Sequence, residues 1–245
     1  MYGNGTEEKP FQISPSSLGN FLDCPSCFLN HDMKIAKKPS GPFPQLPNGI
    51  DDAMRKVMTA AATNSPPFMP PAFAAIPHLA GCIPAERDLV GPTVKLENKD
   101  HVIAPNGARF TLTGKLDELF ARNKGDGQEY IIADYKTKRS LNHASKPPHE
   151  AYVRQLRCYA MVLRSKGYTV NDTALLINYY PAETLMVDDV KPYLEFTVDS
   201  VDVSQMKTAQ IQTNLERMAK VVEQSFTSGT PPTKTPDCDW CSFRA

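Results

Sequence analysis

The chain has 245 residues, 41% of them apolar, with 27 cationic and 27 anionic side chains and a formal charge of zero. That length and apolar content support one large domain with a real core and exclude disorder by composition. The charge balance excludes a surface coated in positive charge, though not a locally basic groove.

No apolar run is long enough to span a bilayer. The opening "MYGNGTEEKP" lacks the basic flank and apolar run of a secretory signal. These features read as a cytoplasmic protein with no membrane partner. "ISPSSLGNFLDCPSCFLNHDMK" then offers Ser14 as an N-cap, Pro15 at the first helical position, and Leu18, Phe21 and Leu22 at helical spacing. "KKPSGPFPQLP" is a loop, and Asn48 caps a second helix, "GIDDAMRKVMTAAA". Residues 64–80 form a proline-broken connector whose Phe68, Met69 and Phe73 look exposed, as a lid or partner surface would be.

From about Thr93 the period changes to two. "TVKLE", "RFTLTGKLDELFA" and "EYIIADYKT" read as successive antiparallel strands, with "RNKGDGQ" as the last turn. "PPHEAYVRQLRCYAMVLRSKGY" is a helix that proline starts and Gly167 stops. "TALLINYYP" and "YLEFTV" are strands, and "VSQMKTAQIQTNLERMAKVVEQSF" is a long amphipathic helix. A polar linker leads to "DCDWCSFRA". The order predicts an α/β fold with a mixed sheet.

Asp117 in "LTGKLDEL" and Asp134 in "IIADYK" carry the first chemical signal. On adjacent strands both carboxylates would lie near one sheet edge and repel strongly when desolvated. A divalent cation between them relieves that repulsion, and hard oxygens suit Mg²⁺ or Mn²⁺. Lys136 projects from the same strand face as Asp134, where an ammonium could neutralise charge building on a phosphate. Taken alone, the D-x-K pattern reads as a salt bridge at a strand end; Asp117 upstream, behind a Gly-x-x-Asp pattern, is what brings the metal reading level with it. Gln155 and Tyr159, four apart, share one helix face. Between Lys136 and Lys166 lie eight cations against one acid, Glu150; that run is either a solvated helix face with a basic loop or a surface for phosphates.

Cys24-Pro-Ser-Cys27 and Cys238-Asp-Trp-Cys241 are two C-x-x-C pairs near opposite ends of the sequence. Two such pairs can complete one tetrahedral metal site, and spacing alone favours structural Zn²⁺. Cys82 and Cys158 read as lone, partly buried thiols.

"GKLDEL", "ADYKT" and "RQLRCYA", in this order and spacing, resemble the RecB-like branch of the PD-(D/E)XK nucleases, as does the opening "SPSSLGNFLDCP". That branch includes the iron–sulfur exonucleases of recombination and CRISPR adaptation. The resemblance runs from about Ser14 to Cys241, weakest over the connector and the helix at 202–226. It implies a restriction-endonuclease-like mixed sheet flanked by helices, in a single nuclease domain over 1–245. Segments 14–30 and 237–245 would form a cysteine staple joining the ends. It makes Asp117, Asp134 and the Tyr135 carbonyl metal ligands, Lys136 the catalytic lysine, and Gln155 and Tyr159 an accessory pair holding the nucleic acid and the lysine.

The implied reaction is Mg²⁺- or Mn²⁺-dependent phosphodiester hydrolysis. Its expected substrate is single-stranded DNA ends, within recombination, repair or CRISPR-type processing and with protein partners. At Cys24, Cys27, Cys238 and Cys241 the resemblance favours a 4Fe–4S cluster, with zinc as the alternative. Relatives with a cluster usually take one cysteine from the amino end and three from the other, whereas here the division is two and two. Many relatives also carry a histidine in the second helix, where this chain reads "NGIDDAMRK". Asp51 or Asp52 could stand in as an outer acid. The departure supports a rival reading, a nucleic-acid-binding subunit that cuts weakly or not at all. A redox protein using the cysteines is a second rival.

Overall fold

The computed structural model describes residues 4–33, 45–125, 127–182, 194–236, 238 and 241. The elements, in chain order, are β1 (Phe11–Ile13), α1 (Pro15–Asp23), α2 (Pro25–His31), α3 (Gln45–Thr63), α4 (Pro71–Ala74), a 3-10 turn (Pro77–Leu79), β2 (Ile83–Pro84) and β3 (Thr93–Lys95). After a second 3-10 turn (Asn98–Asp100) come β4 (Val102–Ile103), β5 (Arg109–Lys115), β6 (Glu118–Lys124) and β7 (Gly127–Thr137). The remainder is α5 (Leu141–Ala144), α6 (Glu150–Ser165), β8 (Thr169–Val170), β9 (Thr173–Pro181), β10 (Leu194–Asp202) and α7 (Gln205–Ser228).

The main sheet runs β10-β9-β7-β6-β2, with β8 beside β7. β7 pairs antiparallel with β6 and parallel with β9, across the helix α6. The sheet is therefore mixed, as the sequence predicts, and both faces are covered. Alternation along β7 sorts the layers: Ile131, Ala133 and Tyr135 pack with Met58 of α3 and with Phe73, while Ile132 faces the cluster built on α1, α6 and α7. Asp134 and Lys136 share the parity of Ile132, so the pattern alone delivers them to the α6 side. No helix among the described residues is long and apolar enough to cross a membrane.

Four expectations are corrected. "RFTLTGKLDELFA" is two strands: β5 joins β1, β3 and β4 in a second sheet, and β6 begins the main one. The chain turns at Leu116-Asp117, where Leu116 bridges Val90 instead of continuing the ladder. The expected three-strand meander is thus a β6–β7 hairpin beside a separate β3–β5 pair. α3 begins at Gln45, so Asn48 lies inside the helix rather than capping it. α6 is capped by His149, whose Nδ1 accepts from the Ala151 amide at 3.2 Å, and the prolines precede the cap. Phe73 is buried, stacked 5.6 Å from Phe196, so only Phe68 of the connector's two phenylalanines is exposed.

Other local readings hold. Ser14 caps α1 by accepting from the Ser17 amide at 3.0 Å, with Pro15 at the first position. Gly167 stops α6 at φ +87°, a conformation that terminates helices and favours glycine; Gly229, which the sequence pattern did not mark, does the same after α7 at φ +66°. Most of the loop at 37–47 lies outside the described residues, and its last three residues belong to α3. Of "DCDWCSFRA" only the two cysteines are described.

Candidate active site and cysteine cluster

Asp134 is 0% exposed near the end of β7. Such a carboxylate must be paired or protonated. Its Oδ1 accepts from Gln155 Nε2 at 2.9 Å, and its Oδ2 meets the Lys136 ammonium. Burial, and next the neighbouring carboxylate of Asp117, raise its pKa to about 8 against the pull of Lys136. Lys136 is itself held above its ordinary value: burial lowers it, but Asp134 outweighs that.

Asp117 reaches this cluster from the bend between β5 and β6, not from a paired strand. Its Oδ2 lies 3.4 Å from the Tyr135 amide, so the peptide after Asp134 stands against the second carboxylate. The bend is anchored by the next residue. Glu118 is fully buried, paired in bidentate fashion with Arg87 at 2.6 and 3.0 Å, and accepts from the Tyr135 phenol at 3.3 Å.

The α6 pair also converges here. Gln155 Nε2 donates to Tyr159 Oη at 2.7 Å as well as to Asp134. Tyr159 lies flat against β5 because residue 114 is glycine: a Cβ there would stand 2.4 Å from Tyr159 Cε1. Thus Asp117, Asp134, Lys136, Gln155 and Tyr159 form one connected group beside the Tyr135 backbone. A buried carboxylate beside a second, partly exposed one, with one proton-sharing lysine, suits a hard divalent cation, which would replace the shared proton.

Sequence reasoning missed Arg55 and Tyr152 beside the group, while Asp51 was one of its two candidate outer acids. α3 brings Asp51 to the group, and its carboxyl is raised by burial and then by Asp117. Arg55, one turn on, lies 3.9 Å from Asp117 Oδ1. Of the two aspartates considered for the place of the missing histidine, Asp51 is half-buried at the group and Asp52 is exposed. Tyr152, one turn before Gln155, has the ammonium groups of Lys136 and Lys138 each 5.0 Å from its ring centroid. Its position at i−3 from Gln155 was the available signal.

The basic run is divided. Arg164 donates to the Val203 and Val170 carbonyls and to Asp172; Arg157 donates to the Asp202 carbonyl; Lys166 pairs with Glu97 at 2.9 Å. Those cations bind the fold to itself. Lys138, by contrast, lies beside Tyr152 at the site, and Arg139 and Lys146 are exposed.

Away from it, the Sγ atoms of Cys24, Cys27, Cys238 and Cys241 all lie within 4.8 Å of one another. Neighbouring sulfurs are 3.4–3.6 Å apart. Burial raises the Cys24 thiol, but hydrogen bonds from the Thr235 and Cys27 backbone outweigh it and bring the pKa to about 6. Four thiols so placed could hold a metal ion or cluster. Cys82 and Cys158 stand apart from them, both buried.

The family model of the PD-(D/E)XK nuclease superfamily matches residues 46–245, a span holding the whole carboxylate–lysine group but not the first cysteine pair. A candidate exonuclease from Eubacterium rectale has a similar structure at 11% identity and TM-score 0.46, covering 96% of this chain and 88% of that one. No curated protein matches the sequence.

Proposed function

The chain belongs to the PD-(D/E)XK nuclease superfamily, and we propose that it hydrolyses phosphodiester bonds in DNA, acting on single-stranded ends. The observation that carries this reading is the buried junction of Asp134 with Lys136, Gln155 and Asp117. Asp117, Asp134 and the Tyr135 carbonyl would hold Mg²⁺ or Mn²⁺, which supplies Lewis acidity toward water and phosphate oxygen. Lys136 then turns its ammonium toward the phosphate and offsets the negative charge that develops there. Gln155 fixes the Asp134 carboxylate, so the lysine and the second aspartate keep their relative positions when the shared proton leaves. Lys138, Arg139 and Lys146 draw the phosphate backbone to the site.

Metal-dependent degradation of labelled single-stranded DNA, run beside RNA and duplex DNA, tests the reading. Loss of activity in Asp134→Ala is expected. Equal degradation by wild type and that variant would remove the catalytic assignment. A second reading, a nucleic-acid-binding subunit that cuts slowly or not at all, is supported by Arg55 beside Asp117, where a guanidinium competes with a cation for the carboxylate. In that case the assay shows binding without turnover.

For the cysteines, sulfur spacing favours zinc over the 4Fe–4S cluster. Four ligands at about 2.3 Å from one tetrahedral ion stand about 3.8 Å apart, close to the 3.4–3.6 Å seen between neighbours. Thiolates of a cubane each bind a different iron and stand farther apart. Colourless protein with one zinc per chain is expected; brown, iron-bearing protein would reverse the choice. The proposal includes a single domain over 1–245 with its ends joined at the cysteines. It also includes a cytoplasmic setting, where thiols stay reduced, and work alongside other DNA-processing proteins.

A further inference from the structure

Beside the carboxylate–lysine group, a cavity of about 400 Å³ opens between α1, β5 and α6. That volume lies within the range of pockets that hold small organic ligands. One wall is Gln155 and Tyr159, the pair that reaches Asp134 through a 2.9 Å hydrogen bond. The facing wall presents Ser14, Ser16, Ser17, Thr93 and Lys115. Among the described residues no acidic side chain lines the space.

Three features give this lining a direction. Tyr159 is 4% exposed, its phenol oxygen accepts from Gln155, and its own proton meets no acceptor among the described residues. A donor this deeply buried normally has a partner, and the cavity is where one can enter. Lys115 is exposed at the rim and forms no ion pair among the described residues. The third feature is space. Gly114 lets the Tyr159 ring lie against β5, where a Cβ would collide with it at 2.4 Å. Hydroxyl and amide donors, one unpaired cation and no carboxylate make a lining for a phosphodiester, an anion whose oxygens only accept.

We propose that this cavity holds the nucleotide adjacent to the one being cut, its phosphate accepting hydrogen bonds from Ser16 and Tyr159 and facing Lys115. The inference rests on the nuclease reading above and extends it by naming where the strand continues. The residues lie beyond the acidic pair, so they position the strand and take no part in the bond change.

The test uses the full chain in an Asp134→Asn background, so that bound strand is not consumed. The dissociation constant of a labelled single-stranded oligonucleotide is measured across a salt series. Each phosphate neutralised by a cation contributes about 0.7 to the slope of log K against log salt for single strands. Lys115→Ala is expected to reduce that slope by about 0.7, and Lys220→Ala, on the exposed face of α7, to leave it unchanged. Ser16→Glu places an acid in the first turn of α1, where the helix dipole favours it, so folding is preserved or improved. The same change should weaken binding by about tenfold or more, by removing a donor to phosphate and adding repulsion.

An unchanged slope in Lys115→Ala with unchanged affinity in Ser16→Glu would overturn the cavity assignment while leaving the nuclease reading intact. An equal drop from Lys220→Ala would also overturn it, as a diffuse charge effect. If the parent binds no oligonucleotide at all, the nuclease reading falls and the cavity with it.

Discussion

At Asp134, one proton ties stability to the cation binding proposed for this carboxylate. Between the ordinary carboxylate value and about 8, the folded chain holds a proton on this group that the unfolded chain has lost. The native state binds more protons over that window, so stability falls as pH rises through it. Metal-free protein should therefore melt progressively lower from pH 5 to about 8, through Asp134 and in the same sense through Asp51. Asp134→Asn should flatten most of that slope, and Mg²⁺ should raise the melting point of wild type most at the alkaline end. Calorimetry across pH checks this, and parallel wild-type and Asp134→Asn curves would contradict it.

Tyr152 is the second case at this scale. Under the proposed function a cation would take the Asp134 carboxylate, Lys136 would lose that ion pair, and the Tyr152 ring, 5.0 Å away, would help to hold it. A cation–π contact of this burial is worth about 1–2 kcal/mol. Tyr152→Leu should thus lower kcat about tenfold with little change in KM, whereas Tyr152→Phe keeps the ring face and most of the rate. Equal losses in both variants would point to packing instead.

At the scale of elements, the β5–β6 bend decides whether Asp117 reaches the site. Its brace is the Arg87–Glu118 pair, 16% and 0% exposed at the side chains. Removing one partner of a buried pair strands the other's charge, at a cost of about 3–5 kcal/mol. Arg87→Ala should therefore lower stability by that order in denaturant unfolding. Arg87→Met with Glu118→Leu should recover much of the stability without restoring activity, since Glu118 also takes the Tyr135 phenol beneath the site. Full activity in the double variant would show that the brace does not set the geometry of Asp117.

The same bend marks where the sequence was and was not readable. "GKLDEL" and "ADYKT" could be set in register because alternation in β7 places Asp134, Lys136 and Ile132 on one face. The break at Leu116 was misread, because the loss of alternation at Asp117-Glu118 and Leu119-Phe120-Ala121 was passed over within what looked like one long strand. Arg87 was invisible for a different reason. It lies 31 residues from Glu118, and no local period records a contact across that separation. The eight cations of 136–166 misled by proximity in sequence, since those at 157, 164 and 166 point to carbonyls and acids of the fold.

At the scale of the molecule, the cysteine cluster joins positions more than 200 residues apart: Cys24 and Cys241 are separated by 217. A metal bound there would close a loop that spans nearly the whole chain, and closing long loops removes the most conformational freedom from the unfolded state. Such a bond also acts locally. Cys24 is both the C-cap of α1 and the N-cap of α2, and the other end of α1 lines the cavity beside Tyr159. Metal loss should release α1 and α2 before the main sheet, because β6, β7 and β9 are tied by their own ladders. A graded removal of metal by chelator, or Cys238→Ser, should then weaken oligonucleotide binding at concentrations of denaturant where β7 amides still resist hydrogen exchange. Protection in α1 should fall first, with β7 following only at global unfolding. Simultaneous loss of protection in both would show instead that the staple holds the whole fold in one cooperative step.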